Sequence, residues 1–364
     1  MDLNVFQRIS NTGCKFFAAI AGGGQTFIGD YTSISGASKT FLGGYVPYAQ
    51  PLFLQFIKQA KLDSHASEEA ARKLAVASFN KCLEAGAYAI EAIGIGAANS
   101  IVKDGERVGR EHRFFIATHS ATQSRVLKVI LQQGRTRQQE EAMCSLFIFK
   151  MLQWQALNEP TNFQSLILPN ETWEVLEDGD IEYAMLTSGV VEYLPNFKVT
   201  PKLAVFCGSW NPYHEGHEGI YKLANQILGV EPILELSVHN TDKGQLDFID
   251  LGRRVTSIGE KPYMLTRAAT FIEKARLLRT KFHTNEIVFV VGLDTWQRIW
   301  DAKYAGDPEY VERTLKAFDV KFLVFGRGGA PVKTGFGESL RIKDARAEAY
   351  SSNLSSTAIR NNKV

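Results

Sequence analysis

The chain has 364 residues, a length that predicts about two domains and allows three. Apolar residues make up 45% of it and charged residues 22%, which excludes a disordered chain, a fibre and a collagen-like repeat. The 41 Lys and Arg residues nearly balance the 39 Asp and Glu residues, and the net charge of +2 argues against a nucleic-acid partner bound through a basic surface.

The cysteines are far apart and form no CxxC pair, which argues against a zinc ribbon or a thioredoxin-type site. Isolated cysteines of this kind are typical of a reducing compartment. The sequence begins without the basic segment of a signal peptide, and no apolar run reaches the roughly 18 residues that a bilayer crossing requires. We therefore expect a soluble cytoplasmic protein without a membrane partner, and a nuclear location stays open.

The N-terminal part of the sequence alternates short apolar runs with helical patterns. Strands are predicted at residues 15–21, 88–94 and 112–119, and helices at residues 63–85 and 137–154. The alternation favours a layered α/β domain over residues 1–155. Residues 156–200 contain prolines and acidic residues, and we predict a connector there that carries one strand at 182–192.

A second α/β domain is predicted over residues 201–364. Its predicted strands lie at residues 202–207, 233–238, 286–291 and 320–325, and its helices at residues 218–228, 263–280 and 308–317. This order predicts a Rossmann-like, doubly wound parallel sheet. The Gly-rich residues 326–350 are predicted to form a mobile loop.

The sequence GSWNPYHEGH at residues 208–217 follows the first strand of this domain and opens a helix. Doubly wound sheets bind their ligands at this edge. His214 and His217 are three residues apart, so they project from one face of the first helical turn. Such a pair in isolation is typical of surface residues or metal ligands, but the strand–turn–helix context favours a phosphate site.

Further residues of this segment have predicted roles. Gly208 and Ser209 are expected to let the backbone turn close to a nucleotide, and Gly216 to leave room for a phosphate group. The imidazoles and the helix amides together would stabilise negative charge that develops on phosphate.

Another candidate cluster is SSTAIR at residues 355–360. Ser355 is a candidate helix cap, Ser356 and Thr357 fill the first turn, and the Arg360 guanidinium suits phosphate oxygens. An ordinary capped helix is the alternative.

Two more candidates follow strands of the second domain. Gly292 and Asp294 follow the strand at 286–291, where the Asp294 carboxylate is expected to bind a sugar or a base edge or, alternatively, to cap a helix. Lys243 is a candidate phosphate ligand, and a solvated loop lysine is the equal alternative.

The pairing of GSWNPYHEGH with SSTAIR resembles the GxFxPxHxGH and SSTxIR motifs of the nucleotidylyltransferase superfamily, in particular its nicotinamide mononucleotide adenylyltransferase group. The resemblance spans about 160 residues. Trp210 departs from the usual Phe. No C-terminal extension is expected after Arg360.

The resemblance implies that the phosphate of a mononucleotide attacks the α-phosphorus of ATP and that pyrophosphate leaves. It implies that His217 contacts the α-phosphate and that His214 holds the phosphate chain. Ser356, Thr357 and Arg360 would bind the β- and γ-phosphates. Mg²⁺ is expected to arrive on the triphosphate, since the sequence shows no carboxylate cage and no His or Cys spacing for a metal site.

The resemblance also places the nucleoside beside Gly292 and Asp294, and the base pocket near Trp210 and Trp296. His214, His217, Arg360 and Lys243 are expected to supply, in this same pocket, the positive charge that the substrate needs.

The N-terminal part resembles the CinA C-terminal family, which contains nicotinamide mononucleotide deamidases, over about 150 residues. ISGASKTF at 34–41 and GYVPY at 44–48 are similar to the family's V-P-G-S-S and G-x-V-x-Y-S runs. Its catalytic A-E-S-C-T-G-G is replaced by AIAGGGQ at 19–25, so Ala21 stands where the family has its nucleophilic serine. We expect a domain without deamidase activity that serves as an oligomerisation platform or a pyridine-nucleotide sensor.

The sequence leaves three functions open. The first is adenylyl transfer from ATP to nicotinamide or nicotinate mononucleotide, because both resemblances point separately to pyridine mononucleotides. The second is a cytidylyltransferase or another adenylyltransferase of the superfamily. The third is a non-catalytic regulator that binds pyridine nucleotides.

Overall fold

The computed structural model describes residues 2–103, 109–240, 244–301, 306–326 and 335–352, with Leu354, Ser356 and Ile359. The chain divides into two compact units. The first comprises Met1–Ala184 and Gln245–Ile249, and the second comprises Met185–Gly244 and Asp250–Val364. The predicted connector, residues 156–200, is divided between the units.

The first unit is built on a mixed sheet. Its strands are β1 (Lys15–Ala21), β2 (Phe41–Tyr45), β3 (Ala92–Ala98), β4 (His112–Ser120), β5 (Ser124–Leu131) and β6 (Thr172–Asp178). Its helices are α1 (Leu3–Asn11), α2 (Thr26–Thr32), α3 (Gln50–Phe56), α4 (Glu68–Glu84) and α5 (Arg137–Leu157). The strand order is β2-β1-β3-β4-β5-β6, parallel from β2 to β3 and antiparallel from β3 to β6.

Strand β1 is buried on both faces, as its apolar run predicts. Phe16, Ala18 and Ile20 belong to one hydrophobic cluster. Ala19 and Ala21 belong to another that includes residues of α4. The small residues of β1 therefore let helices pack closely on either side of the sheet.

The remaining elements follow from residue 181 onward. The strands are β7 (Tyr193–Asn196), β8 (Lys202–Cys207), β9 (Ile233–Ser237), β10 (His239–Asn240), β11 (Gly244–Gln245), β12 (Tyr263–Thr266), β13 (Glu286–Gly292), β14 (Val320–Phe325) and β15 (Arg341–Ile342). The helices are α6 (Ile181–Ser188), α7 (Glu215–Leu228), α8 (Phe248–Ile258), α9 (Phe271–Lys281), α10 (Leu293–Ile299), α11 (Pro308–Ala317) and α12 (Ala345–Glu348).

The sheet of the second unit has the order β15-β14-β13-β8-β9-β12-β7. All its pairs are parallel except β12 with β7. Chain connections run outward from β8 through β9 to β12 on one side, and through β13 to β15 on the other. The point where this direction reverses lies between β8 and β13, and such a point opens a crevice beyond the carboxyl ends of the strands.

The predicted fold class, with layered α/β domains and a doubly wound parallel sheet in the second, is confirmed. Within the described ranges, none of the helices combines the length and the apolar character that a bilayer crossing requires.

The predicted strand at residues 182–192 is wrong, because α6 lies at Ile181–Ser188. Asp180 explains this helix: its carboxylate accepts hydrogen bonds from the backbone N–H groups of Glu182 (2.7 Å) and Tyr183 (3.1 Å).

The predicted helix at residues 263–280 is also wrong in its first part. Tyr263–Thr266 form β12, and α9 begins only at Phe271. Thr270 and Glu273 form a capping box that fixes this start.

The expectation of a loop over residues 326–350 needs a smaller correction, since its described part contains β15 and α12.

Candidate active site

A loop leads from the end of β8 to the start of α7, and its anchor is Trp210. The indole is almost fully buried, with 1% of its surface exposed, and its Nε1 donates to the Glu235 carbonyl oxygen (3.1 Å). The Gly208 N–H donates to the same oxygen (3.1 Å). A Cβ on Gly208 would lie 2.5 Å from the indole, so this glycine makes room for Trp210.

Helix α8 holds the loop from the other side. Arg254 donates from Nη1 to the Ser209 carbonyl oxygen (2.9 Å) and from Nη2 to Asp250 (2.8 Å). The Tyr213 N–H donates to Ser257 Oγ (3.1 Å). These bonds from α8 fix the position of the loop backbone.

His214 and His217 meet at the start of α7. His214 is the N-cap residue, and its backbone N–H donates to Nδ1 of His217 (3.3 Å). The two rings stack, with centroids 3.7 Å apart and planes 22° from parallel. Because Nδ1 of His217 accepts a hydrogen bond, neutral His217 carries its proton on Nε2.

Burial lowers the pKa of both imidazoles. The pKa of His217 falls to about 3, and the neighbouring His214 adds to the effect of burial. Burial alone lowers the pKa of His214. The rings of Trp210 and Tyr213, at 5.1 Å and 5.5 Å from that of His217, account for the dry surroundings. Both histidines are therefore neutral at neutral pH in the free protein, so the structure does not support the expectation that they supply positive charge.

His214 also carries an unsatisfied polar atom. Its Nδ1 is shielded from solvent and has no hydrogen-bond partner among the described residues. A buried polar atom without a partner is uncommon in folded proteins.

A cavity of about 280 Å³ opens beside the histidines, beyond the carboxyl ends of β8 and β13. It brings together predicted site residues from separate parts of the chain: Gly208, Ser209, Trp210, His214, Gly216, His217, Gly292, Asp294 and Ser356. The other predicted site residues, Lys243, Ser355, Thr357 and Arg360, lie outside the described residues.

Gly292 has open space on its side-chain face. A Cβ there would meet no atom of the described residues within 4 Å, although the residue lines the cavity. No backbone strain requires glycine, since φ is −78°. The space beside Gly292 is therefore available to a ligand.

A second, smaller cavity of about 200 Å³ lies in the first unit. Ala21 and Gly22 at the end of β1 line it, together with Tyr48, His65 and Asn99. Its wall offers only a methyl group at position 21, where the CinA-like sequence pattern has a serine.

The second unit also matches a known family in sequence. Residues 205–362 form a cytidylyltransferase-like domain. The predicted resemblance to the nucleotidylyltransferase superfamily is thereby confirmed, and the cavity lies among the matched residues. No curated protein matches the sequence of the chain.

Similar solved structures include CinA superfamily proteins, which cover the N-terminal part of the chain. One from Escherichia coli has a TM-score of 0.34 and 13% identity, and the match covers 42% of this chain and 86% of that protein. Another, from Klebsiella pneumoniae, has a TM-score of 0.35 and 12% identity, with 43% of this chain and 94% of that protein covered.

Two sequence-based expectations for the cytidylyltransferase-like domain need correction. Asp294 is not a helix cap, because Gly292 is the N-cap of α10 and Asp294 lies in its first turn. Trp296 does not line the cavity. It is fully buried and packs against Trp300 and Phe322, so it belongs to the core.

Sequence reasoning missed Arg254, Tyr350 and Ser352. Tyr350 and Ser352 line the cavity, and the Tyr350 hydroxyl donates to the Gly216 carbonyl oxygen (2.7 Å). The sequence indicates this contact only indirectly, through a second glycine, Gly219, that lies three residues after Gly216.

Proposed function

We propose that the chain is a nucleotidyltransferase that moves the adenylyl group of ATP to nicotinamide or nicotinate mononucleotide. The observation that carries this is the stacked His214–His217 pair, which lines one cavity with Gly292, Asp294 and Ser356 in a cytidylyltransferase-like domain. Both sequence resemblances, which point separately to pyridine mononucleotides, support the choice of acceptor.

In the proposed reaction a phosphate oxygen of the mononucleotide attacks the α-phosphorus of ATP. A new P–O bond forms, the bond to the β-phosphate oxygen breaks, and pyrophosphate leaves with the electron pair. The protein contributes position and hydrogen bonds rather than a covalent intermediate.

Neutral His217 would donate from Nε2–H to an oxygen on the α-phosphorus as charge develops there. His214 would hold the phosphate chain from the N-terminus of α7, where the helix dipole favours an anion. Since both rings are neutral in the free protein, their role is to donate hydrogen bonds from a dry wall.

Ser356 lines the same cavity. In this proposal the β- and γ-phosphates are bound by Ser355, Ser356, Thr357 and Arg360. Lys243 is proposed as a further phosphate ligand. Gly292 leaves space for the nucleoside, and Asp294 would bind it.

Mg²⁺ enters as part of the triphosphate substrate in this proposal. In the part of the chain that the structure describes, no three His, Cys, Asp or Glu side chains cluster as metal ligands. Asp294 is the acidic residue of the cavity wall.

A pyrophosphate-release panel tests the function. ATP and CTP are each paired with nicotinamide mononucleotide, nicotinate mononucleotide, phosphopantetheine and simple alcohol phosphates. We expect release with ATP and a pyridine mononucleotide, and a His217→Ala variant that loses about 10²–10³-fold in kcat.

His283→Ala, on an exposed side chain of the same unit, is the matched control and should keep full activity. Release with CTP alone would favour the cytidylyltransferase alternative. A wild-type protein that binds nucleotide without releasing pyrophosphate would favour the regulator.

A further inference from the structure

Helix α7 has a slot on the face that carries its two early glycines. A Cβ on Gly216 would lie 2.6 Å from Ser352 Oγ, and a Cβ on Gly219 would overlap the Tyr350 hydroxyl. The glycines are three residues apart, so they lie on one side of the helix. Tyr350 and Ser352 therefore fill the slot. The side-chain face of Gly216, which the sequence suggested as space for a phosphate group, is occupied by Ser352.

Tyr350 is fixed in this slot at both ends of its side chain. Its hydroxyl donates to the Gly216 carbonyl oxygen (2.7 Å), and its ring packs edge-on against Phe325 with centroids 5.6 Å apart. Burial raises the pKa of Tyr350, which keeps the hydroxyl protonated as a donor.

Three of the described residues that follow Tyr350 form one wall of the cavity. We call Ser352, Leu354 and Ser356 the C-terminal wall, since all three line it. Ser356 Oγ donates to the Pro212 carbonyl oxygen (3.2 Å), in the loop that leads to His214. Tyr350 is therefore the point where the C-terminal wall joins the helix that carries the histidine pair.

We propose that Tyr350 is a positioning residue for the transfer reaction, whose hydroxyl holds the C-terminal wall at the distance from His214 and His217 that the triphosphate requires. This rests on the proposed function, because the wall is where that function places the β- and γ-phosphates. Tyr350 acts through the wall and through Gly216.

The proposal predicts which substrate is affected. A loosened wall weakens contacts to the triphosphate, while the space beside Gly292 for the nucleoside is unchanged. Removing the Tyr350 hydroxyl should therefore raise KM for the triphosphate more than KM for the acceptor. A Tyr350 that only stabilised the fold would lower the melting temperature and change both KM values together.

The test compares Tyr350→Phe with wild type in the full-length protein. We expect KM for ATP to rise about fivefold, the effect of one lost hydrogen bond, while KM for the acceptor and kcat stay within about twofold. Tyr310→Phe, on a half-exposed ring of α11, is the matched control and should change neither KM. Equal changes in the two KM values, or none, would overturn the proposal.

Amide hydrogen exchange gives a second readout that does not depend on turnover. Tyr350→Phe should speed exchange in the peptide that contains the C-terminal wall, with an unchanged melting temperature. Unchanged exchange would show that the hydroxyl does not hold the wall. If wild type transfers no nucleotide, the proposed function fails, and the exchange experiment still decides whether Tyr350 anchors the wall.

Discussion

The stacked imidazoles determine the chemistry of the site at the scale of single residues. With centroids 3.7 Å apart and aromatic rings around them, His214 and His217 cannot both carry a proton at low cost. In the proposed reaction, charge on the phosphates would therefore be met by hydrogen bonds, the α7 dipole and cations outside this pair.

The depressed pKa of His217 makes stability depend on pH. Its pKa is about 3 in the folded protein, against about 6.5 in an unfolded chain. The unfolded chain binds more protons between these values, so stability is lost as pH falls below about 6.5. Through this group, we expect the unfolding free energy of wild type to fall by less than about 1.4 kcal/mol per pH unit, because the ring is partly exposed.

Urea unfolding of wild type and His217→Gln at pH 7 and pH 5 measures that loss. The variant keeps His214 and every carboxylate, so the difference between the two proteins isolates His217. An equal loss of stability in both proteins would contradict the depressed pKa.

Motif residues could be predicted from the sequence because their chemistry shows in their spacing. His214, Gly216 and His217 lie within four residues of the chain, and the structure places them around one cavity. Tyr350 and Arg254 act through hydrogen bonds to carbonyl oxygens distant in sequence, and such contacts leave no pattern in the chain.

At the scale of elements, α4 lies directly on β3. Cβ atoms at Gly94 and Gly96 would overlap backbone atoms of Ala71, Ala75 and Phe79 in the helix. The first unit therefore depends on backbone-to-backbone contact along this helix, with no side chain between.

Gly96→Ala tests this contact. The added methyl group has no space, so we expect overpacking to lower the unfolding free energy by about 1–3 kcal/mol or more, as measured by chemical unfolding. Gly29→Ala is the matched control: it lies in α2, where a Cβ meets no atom of the described residues within 4 Å apart from its own helix. That change should be neutral or stabilise by about 0.5–1 kcal/mol. A mild effect at Gly96 would mean that α4 can shift away from the sheet.

Elements with an uninterrupted apolar run could be predicted with their bounds. This holds for β1, β8 and β14, which the structure shows at the predicted residues. Two errors fell where a short apolar stretch suits either structure and only a cap decides, as Asp180 does for α6 and Thr270 does for α9. The strand predicted at residues 88–94 is β3, which lies four residues further on at Ala92–Ala98.

At the scale of the whole molecule, each unit has a cavity at the end of a parallel strand. In the second unit it follows β8 and carries the histidine pair. In the first it follows β1, where Ala21 lines it. The two units thus share the position of the cavity, at the end of a parallel strand, but differ in the side chains that line it.

We predict that the full-length protein releases no ammonia from nicotinamide mononucleotide. A methyl group at position 21 cannot attack the amide. The serines of the run at residues 34–41, Ser35 and Ser38, do not line the cavity and so do not replace the missing nucleophile there. A glutamate dehydrogenase-coupled assay measures the ammonia, with thermal unfolding as proof of a folded sample. Steady release above the buffer rate would refute the prediction.

The contact between Gly208 and Trp210 also constrains how this sequence can change over evolutionary time. The indole fills the space that a side chain at position 208 would need, and its N–H shares the Glu235 carbonyl oxygen with the backbone of Gly208. A larger residue at position 208 therefore requires that a smaller ring be introduced at position 210 first. That smaller ring cannot make the indole hydrogen bond. The two positions are epistatic: their substitutions are accessible in one order and closed in the other.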